Sequence, residues 1–170
     1  MKRTQRIALM GVLTALGVVL SYATPIPLFG AKLFPAQAAI NVIAGAVLGP
    51  WHAAGVALCI SLIRIGLGTG SPLAIPGSIF GAFLAGVLYG WTRSRVSAVA
   101  GEVVGTGLIG ALVSYPIAVE LLGNAKAAAA GITFFVVPFG SSSLAGAILG
   151  GLLLVVLERY VPQTAVPHKL

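Results

Sequence analysis

Aspartate is missing from this 170-residue chain, and its carboxylate side chains are only Glu102, Glu120 and Glu158. Paired-carboxylate acid–base chemistry and carboxylate-rich metal sites therefore lack their raw material. A single cysteine, Cys59, excludes an internal disulfide and leaves no metal-ligand spacing. No G-x-x-x-x-G-K-[ST] phosphate loop occurs, so the chain has no standard means of hydrolysing ATP. Charge of either sign is scarce: 8% of residues are charged, where a soluble domain carries about 25%. Water cannot be the solvent around most of this protein.

What is present is apolar. Hydrophobic residues make up 58% of the chain and 23 residues are glycine. The net charge of +7 does not point to nucleic acid, because the ten Lys and Arg residues sit almost entirely at the ends of apolar runs rather than in a stripe interleaved with base-stacking aromatics. The opening MKRTQRIALMGVLTALGVVLSYA has the basic start and apolar core of a signal peptide. The chain stays apolar to residue 157, however, so this stretch reads as a retained first span.

Proline, glycine and charge divide the chain into six apolar segments, 7–23, 36–49, 51–66, 77–92, 97–122 and 132–157. The second would reach about 21 Å as a helix, short of a hydrocarbon core of about 30 Å. It therefore either crosses a locally thin bilayer or does not fully cross. Lys2, Arg3, Arg6, Arg93, Arg95, Arg159 and Lys169 fall on the terminal side of a six-crossing topology and Lys32 and Lys126 on the other. By the positive-inside rule both termini are cytoplasmic. The predicted fold class is an all-α integral membrane protein with six transmembrane helices in one domain over residues 1–160, followed by a short cytoplasmic tail, 161–170.

The first external loop, PIPLFGAKLFPAQ, carries one charge. It is either a plug folded back over the protein or an ordinary interfacial loop. The loop LGTGSPLAIPG, 67–77, offers hydroxyls at Thr69 and Ser71 and could line a site from above. Small residues four apart mark helix contact faces. They occur at Gly11 and Ala15, at Ala82, Gly86 and Gly90, and at Ser142, Gly146 and Gly150. The first notch either docks internally or is offered to another membrane protein.

Polar residues inside the spans are few. Arg64 ends the third span, where it either snorkels to the interface or holds a ligand. Glu102, Thr106, Ile109, Val113, Pro116 and Glu120 step by four and three along the fifth span, which places both acids and the threonine on one inward face of an α-helix. Glu120, near the external end, either joins that face or is merely solvated. Glu102 is then neutral, paired with Arg93 or Arg95, or part of a polar site. Gln37 and Asn41 share a face of the second span, and Tyr115, Phe134 and Phe135 stand near Pro116 and Pro138 in the outer half. The candidate binding set is Gln37, Asn41, Arg64, Thr69, Ser78, Glu102, Thr106, Tyr115, Glu120, Phe134 and Phe135. It suits a small, mostly neutral aromatic solute held by stacking and a few hydrogen bonds.

GTGLIG at 105–110 is a literal G-x-G-x-x-G, but it lies within one apolar segment, without the preceding strand or the distant acid that a dinucleotide fold requires. An intramembrane hydrolase would need a base beside Ser141, Ser142 or Ser143, and neither His52, at a cytoplasmic turn, nor His168, in the tail, supplies one. A proton-driven secondary carrier using Glu102 as relay remains the competing class.

Six spans, cytoplasmic termini, a long first external loop and the notch on the first helix together resemble the S component of an energy-coupling factor (ECF) vitamin transporter. LGPWHA, LGTGSPLAIPGS, and GEVVGTGLIGA with SYPIA are similar to its thiazole-type ThiW branch, and the resemblance runs from about residue 6 to 157. It implies capture of a vitamin or precursor on the outside of a bacterial or archaeal cytoplasmic membrane. It also implies release inside, by toppling, through a separate transmembrane coupling protein and two ABC-type ATPase subunits. It places the docking motif A-x-x-x-A on Gly11 and Ala15, with glycine in the first position. The binding pocket falls to the first loop and the last three helices. The implied ligand is hydroxyethylthiazole, with a pyrimidine or intact thiamin as alternatives; no cofactor is implied.

Overall fold

The computed structural model describes residues 1–23, 26–28 and 31–160; the predicted tail lies outside the described residues. Helix α1, Arg3–Ala23, is followed by a hairpin of β1, Ile26–Leu28, and β2, Ala31–Leu33. Then come α2, Pro35–Leu48, α3, Pro50–Gly66, and α4, Ala74–Thr92. Helix α5, Arg95–Leu121, is continuous but changes winding along its length. A short α6, Ala125–Ala130, and a long α7, Thr133–Tyr160, complete the order. Helices α1, α4, α5 and α7 are long and apolar enough to cross a membrane, whereas α2 and α3 are shorter.

The shortest apolar segment is the axle of the bundle. Helix α2 packs against α1, α3, α4, α5 and α7, and nearly all of it is buried, including Gln37 to Ala46 without a break. Its brevity is tolerable because its surroundings are protein rather than lipid, so its ends need not reach the headgroups. Pro35 occupies the first turn, where a missing N–H costs nothing. Gly49 ends the helix at φ +81°, and Pro50 starts α3 at once. That left-handed glycine lets the two helices reverse direction without a loop.

Close approach explains where the small residues stand. A Cβ on Gly45 would lie 2.7 Å from the Gly86 nitrogen, and one on Gly86 would lie 2.6 Å from Pro50 Cα, so α2, α3 and α4 meet backbone to backbone. Gly150 of α7 faces the Ala39 carbonyl of α2 in the same way, at 2.7 Å. The stripes on α4 and α7 are therefore internal seams, as packing in lipid requires. The notch on α1 differs: Gly11 and Ala15 are exposed, and among the described residues nothing lies within 4 Å of a Cβ on Gly11. Helix α1 docks instead through Leu13, Gly17 and Ser21, with Gly17 seated on Ile60.

Outward faces are apolar, with Val19, Leu62, Leu112, Leu144 and Leu152 all at least half or nearly half exposed. Trp51 and Trp91 are 76% and 70% exposed, in the manner of aromatics at a membrane interface. They mark the end of the bundle where Arg6 Nη1 meets His52 Nε2 at 3.5 Å. There too Glu158 accepts hydrogen bonds from the Tyr89 hydroxyl at 2.9 Å and from Arg95 Nε at 2.6 Å. The beginning of α1 and the end of α7 share this end.

Helix α5 departs from the regular helix read from its sequence. Val103–Gly110 and Ile117–Leu121 are wound as π-helix, separated by the α-helical Ala111–Pro116. Glycines at 105, 107 and 110 seat this stretch on α4 and α7: a Cβ on Gly105 would lie 2.5 Å from the Phe80 carbonyl oxygen. The wider winding keeps Glu102 and Thr106 together but shifts every residue beyond them relative to an α-helical face. Glu120 consequently ends up exposed.

Candidate functional site

At the end of the bundle opposite the tryptophans, a cavity of about 200 Å³ opens between α2, α3, α4, α5 and α7. Its polar wall is built from α2, where Gln37 and Asn41, one turn apart, are 4% and 1% exposed. Gln37 Nε2 donates to Ser78 Oγ at 2.7 Å and to Ser61 Oγ at 3.1 Å. Its Oε1 accepts from Arg64 Nη1. Asn41 Nδ2 donates to the Ser78 carbonyl at 3.4 Å and to Glu102 Oε1 at 3.2 Å.

Arg64 does not snorkel. It is 1% exposed and turns inward, with its guanidinium 3.8 Å from the centre of the Phe34 ring and Nη2 donating to the Thr69 carbonyl at 3.3 Å. Thr69 Oγ1 donates back to the Arg64 carbonyl at 3.2 Å. The 67–73 turn thus anchors the arginine; Thr69 is absent from the cavity wall, and Ser71 and Leu73 belong to it. Burying a cation is costly unless its donors are engaged; here neutral oxygens engage Nη1 and Nη2 and an aromatic face covers the guanidinium, while Nε is left over.

Glu102 is completely buried. Its partners are neutral: Asn41, and Thr106 Oγ1 at 2.8 Å. Arg95, one of the two expected partners, is held instead by Glu158 at 2.5 Å. The single Thr106 proton can serve Glu102 Oε1 or the Gly77 carbonyl at 3.0 Å, but not both at once. Glycine at 81 makes room for this pair, because a Cβ there would overlap both Thr106 Oγ1 and the Glu102 carboxyl.

The opposite wall is aromatic. Phe134, Phe135 and Phe139 of α7 line the cavity, with edge-to-face ring pairs at 5.2 Å and 5.8 Å. Phe34 and Ser142 close the site toward the hairpin, and the Phe34 N–H donates to Ser142 Oγ at 2.9 Å. The strand β2 packs on α7, so this part of the first loop lies against the bundle.

Gln37, Asn41, Arg64, Ser78, Glu102, Thr106, Phe134 and Phe135 come together around this cavity. Tyr115 and Glu120 do not. Tyr115 packs against the neighbouring apolar cluster of Ala111, Ala118, Ala127 and Phe135, and Glu120 is carried outward by the π-helical winding. Phe34, Phe139, Ser61 and Ser142 were missed in the sequence. Phe139 was within reach, lying four residues after Phe135, on the same helical face. No cluster of three or more His, Cys, Asp or Glu that could hold a metal exists among the described residues.

The described residues lining the cavity include no histidine or cysteine, and its one carboxyl, Glu102, is already engaged by Asn41 and Thr106. The sequence matches the family of thiamine-precursor transporter proteins (ThiW) over residues 7–160. No protein with a curated description matches it. Among solved structures it is similar to one described as the S component of a bacterial ECF transporter. The identity is 18% and the TM-score 0.64, over 94% of this chain and 96% of that one. The fold is thus that of an S component, and with the family match covering nearly the whole chain, this protein belongs to the ThiW family of thiamine-precursor transporter proteins.

Proposed function

We propose that this chain is the substrate-capture subunit of an ECF-type importer and that its ligand is hydroxyethylthiazole. The observation that carries the reading is the cavity itself. It is small, walled on one side by three phenylalanines and on the other by an amide–guanidinium–carboxyl network. Its size suits a single substituted heteroaromatic ring better than a nucleotide or a polyanion. Six helices cross the cytoplasmic membrane of a bacterium or archaeon, with both termini inside and the cavity facing out. Helices α2 and α3 cross within a collar of longer neighbours.

Energy comes from elsewhere, because the chain has no phosphate loop. The exposed Gly11 and Ala15 form the docking notch for a transmembrane coupling protein that carries two ABC-type ATPase subunits. Mass spectrometry of small molecules co-purifying with the protein, followed by calorimetric titration with hydroxyethylthiazole, tests the reading. Failure of thiazole, pyrimidine and thiamin alike to bind would overturn it.

The buried Glu102 carboxyl, which has no cationic partner among the described residues, favours one second reading: an autonomous proton-coupled carrier of a small aromatic solute. Uptake by this chain alone in vesicles, abolished by collapsing the proton gradient and by Glu102→Gln, would establish that alternative.

A further inference from the structure

The hydrogen-bonding capacity left over in the cavity has a direction. Three buried side-chain atoms of its wall have no hydrogen-bond partner among the described residues: Asn41 Oδ1, Glu102 Oε2 and Arg64 Nε. The first two are acceptors at one end and the third is a donor at the other. The sense of the Asn41 amide is fixed by its surroundings, since Nδ2 faces the Ser78 carbonyl and Glu102 Oε1. Flipping the amide would set oxygen against two acceptors. Glu102 Oε1 is already supplied by Asn41, and by Thr106 when its proton is not on the Gly77 carbonyl, so with the carboxyl ionised the unmet demand at this corner is for donors.

The two ends are held from successive turns of α2: Gln37, which holds Arg64, and Asn41, which holds Glu102, are separated by a rise of about 6 Å. A five- or six-membered ring with a short substituent is about as long as that rise. An unmet buried acceptor is unfavourable, and a ligand that places O–H or N–H there removes the penalty as it binds.

We propose that the cavity reads its ligand in one orientation: an uncharged nitrogen heteroaromatic whose ring nitrogen accepts from Arg64 Nε and whose hydroxyl or amino group donates into the Glu102–Asn41 corner. The ring lies against Phe134, Phe135 and Phe139. This rests on the capture reading and deepens it, because it makes the donor group, rather than ring shape alone, the determinant of selectivity. A rotation of the Glu102 carboxyl about its terminal torsion, which is broad, presents either oxygen to the ligand.

The test is calorimetric titration of the full chain in lipid nanodiscs with matched pairs. Hydroxyethylthiazole is compared with the ethylthiazole that lacks only the hydroxyl, and an aminopyrimidine alcohol with its desamino analogue. Loss of the donor should weaken binding about 5- to 150-fold. Glu102→Gln, which brings donors of its own, should shrink that ratio, with a melting curve confirming the fold. If the variant fails to fold, the wild-type pairs still decide. Equal binding within each pair overturns the proposed orientation while leaving capture intact. A donor dependence seen only with the pyrimidines upholds the corner and overturns the thiazole assignment. No binding by either ring overturns both.

Discussion

Replacing Gly81 by alanine separates the site from the scaffold that carries it. A methyl group at this position would collide with Thr106 Oγ1 and Glu102 Oε2 and stand 2.8 Å from Glu102 Cδ. All three are side-chain atoms, so α4 and α5 need not move apart. Glu102, fully buried, has to turn aside, which breaks its alignment with Asn41 and Thr106. Overpacking of this kind costs about 1–3 kcal/mol, and exchanging glycine for alanine inside a helix returns about 0.8–1 kcal/mol. The net change in folding stability should therefore be small, from near zero to about 2 kcal/mol. Ligand affinity meets the displaced carboxyl without that compensation and should fall by about one to two orders of magnitude, corresponding to 1–3 kcal/mol. Melting in detergent and calorimetric titration on the same preparation measure the two effects. Gly66→Ala, at a position with nothing within 4 Å, should leave affinity unchanged. A well-folded Gly81→Ala protein that binds ligand as tightly as wild type would refute the placement of Glu102 in the site.

Arg64→Met should weaken ligand binding by at least about fivefold by orphaning Gln37 Oε1. Arg64→Lys should not restore it in titration, because an ammonium cannot serve Gln37 and Thr69 while lying flat on Phe34. Gly11→Leu should leave ligand binding intact in the isolated chain and abolish uptake in cells that contain the coupling subunits, since the notch is open and touches no part of the cavity. Glu158→Ala should lower the melting temperature more than Arg95→Ala, because it also strands the Tyr89 hydroxyl, whereas the Arg95 side chain is 44% exposed. Cysteines introduced at Lys2 and Lys126 in a Cys59→Ser background should react with an impermeant maleimide from opposite faces of the membrane.

The apolar runs, their order and most of the site were legible because lipid leaves few reasons for a polar side chain to sit within a span. Gln37, Asn41, Arg64 and Glu102 are conspicuous for that reason, and all four meet at one cavity. Helix spacing was a poorer guide wherever winding changed. The step from Glu102 to Thr106 survives, but nothing in VVGTGLIG announces a π-helix, and Glu120 was drawn inward on a regular period that the chain does not keep. Short hydroxyl residues were hard to choose among for a different reason. Ser61 and Ser142 matter through the helices that face them, and that pairing is a property of the fold rather than of any segment.

The burial of α2 has a consequence for how the protein responds to its bilayer. The two side chains that set the polar wall stand on a helix jacketed on every side by other helices, whereas the lipid-facing surfaces belong to its neighbours. Changes in acyl-chain length or membrane tension would therefore be felt at the periphery, by α1 with its open notch above all, and be damped before reaching Gln37 and Asn41. Affinity for the ligand should stay nearly constant across membranes of different thickness, while the ease with which the whole body tilts or meets a partner should not.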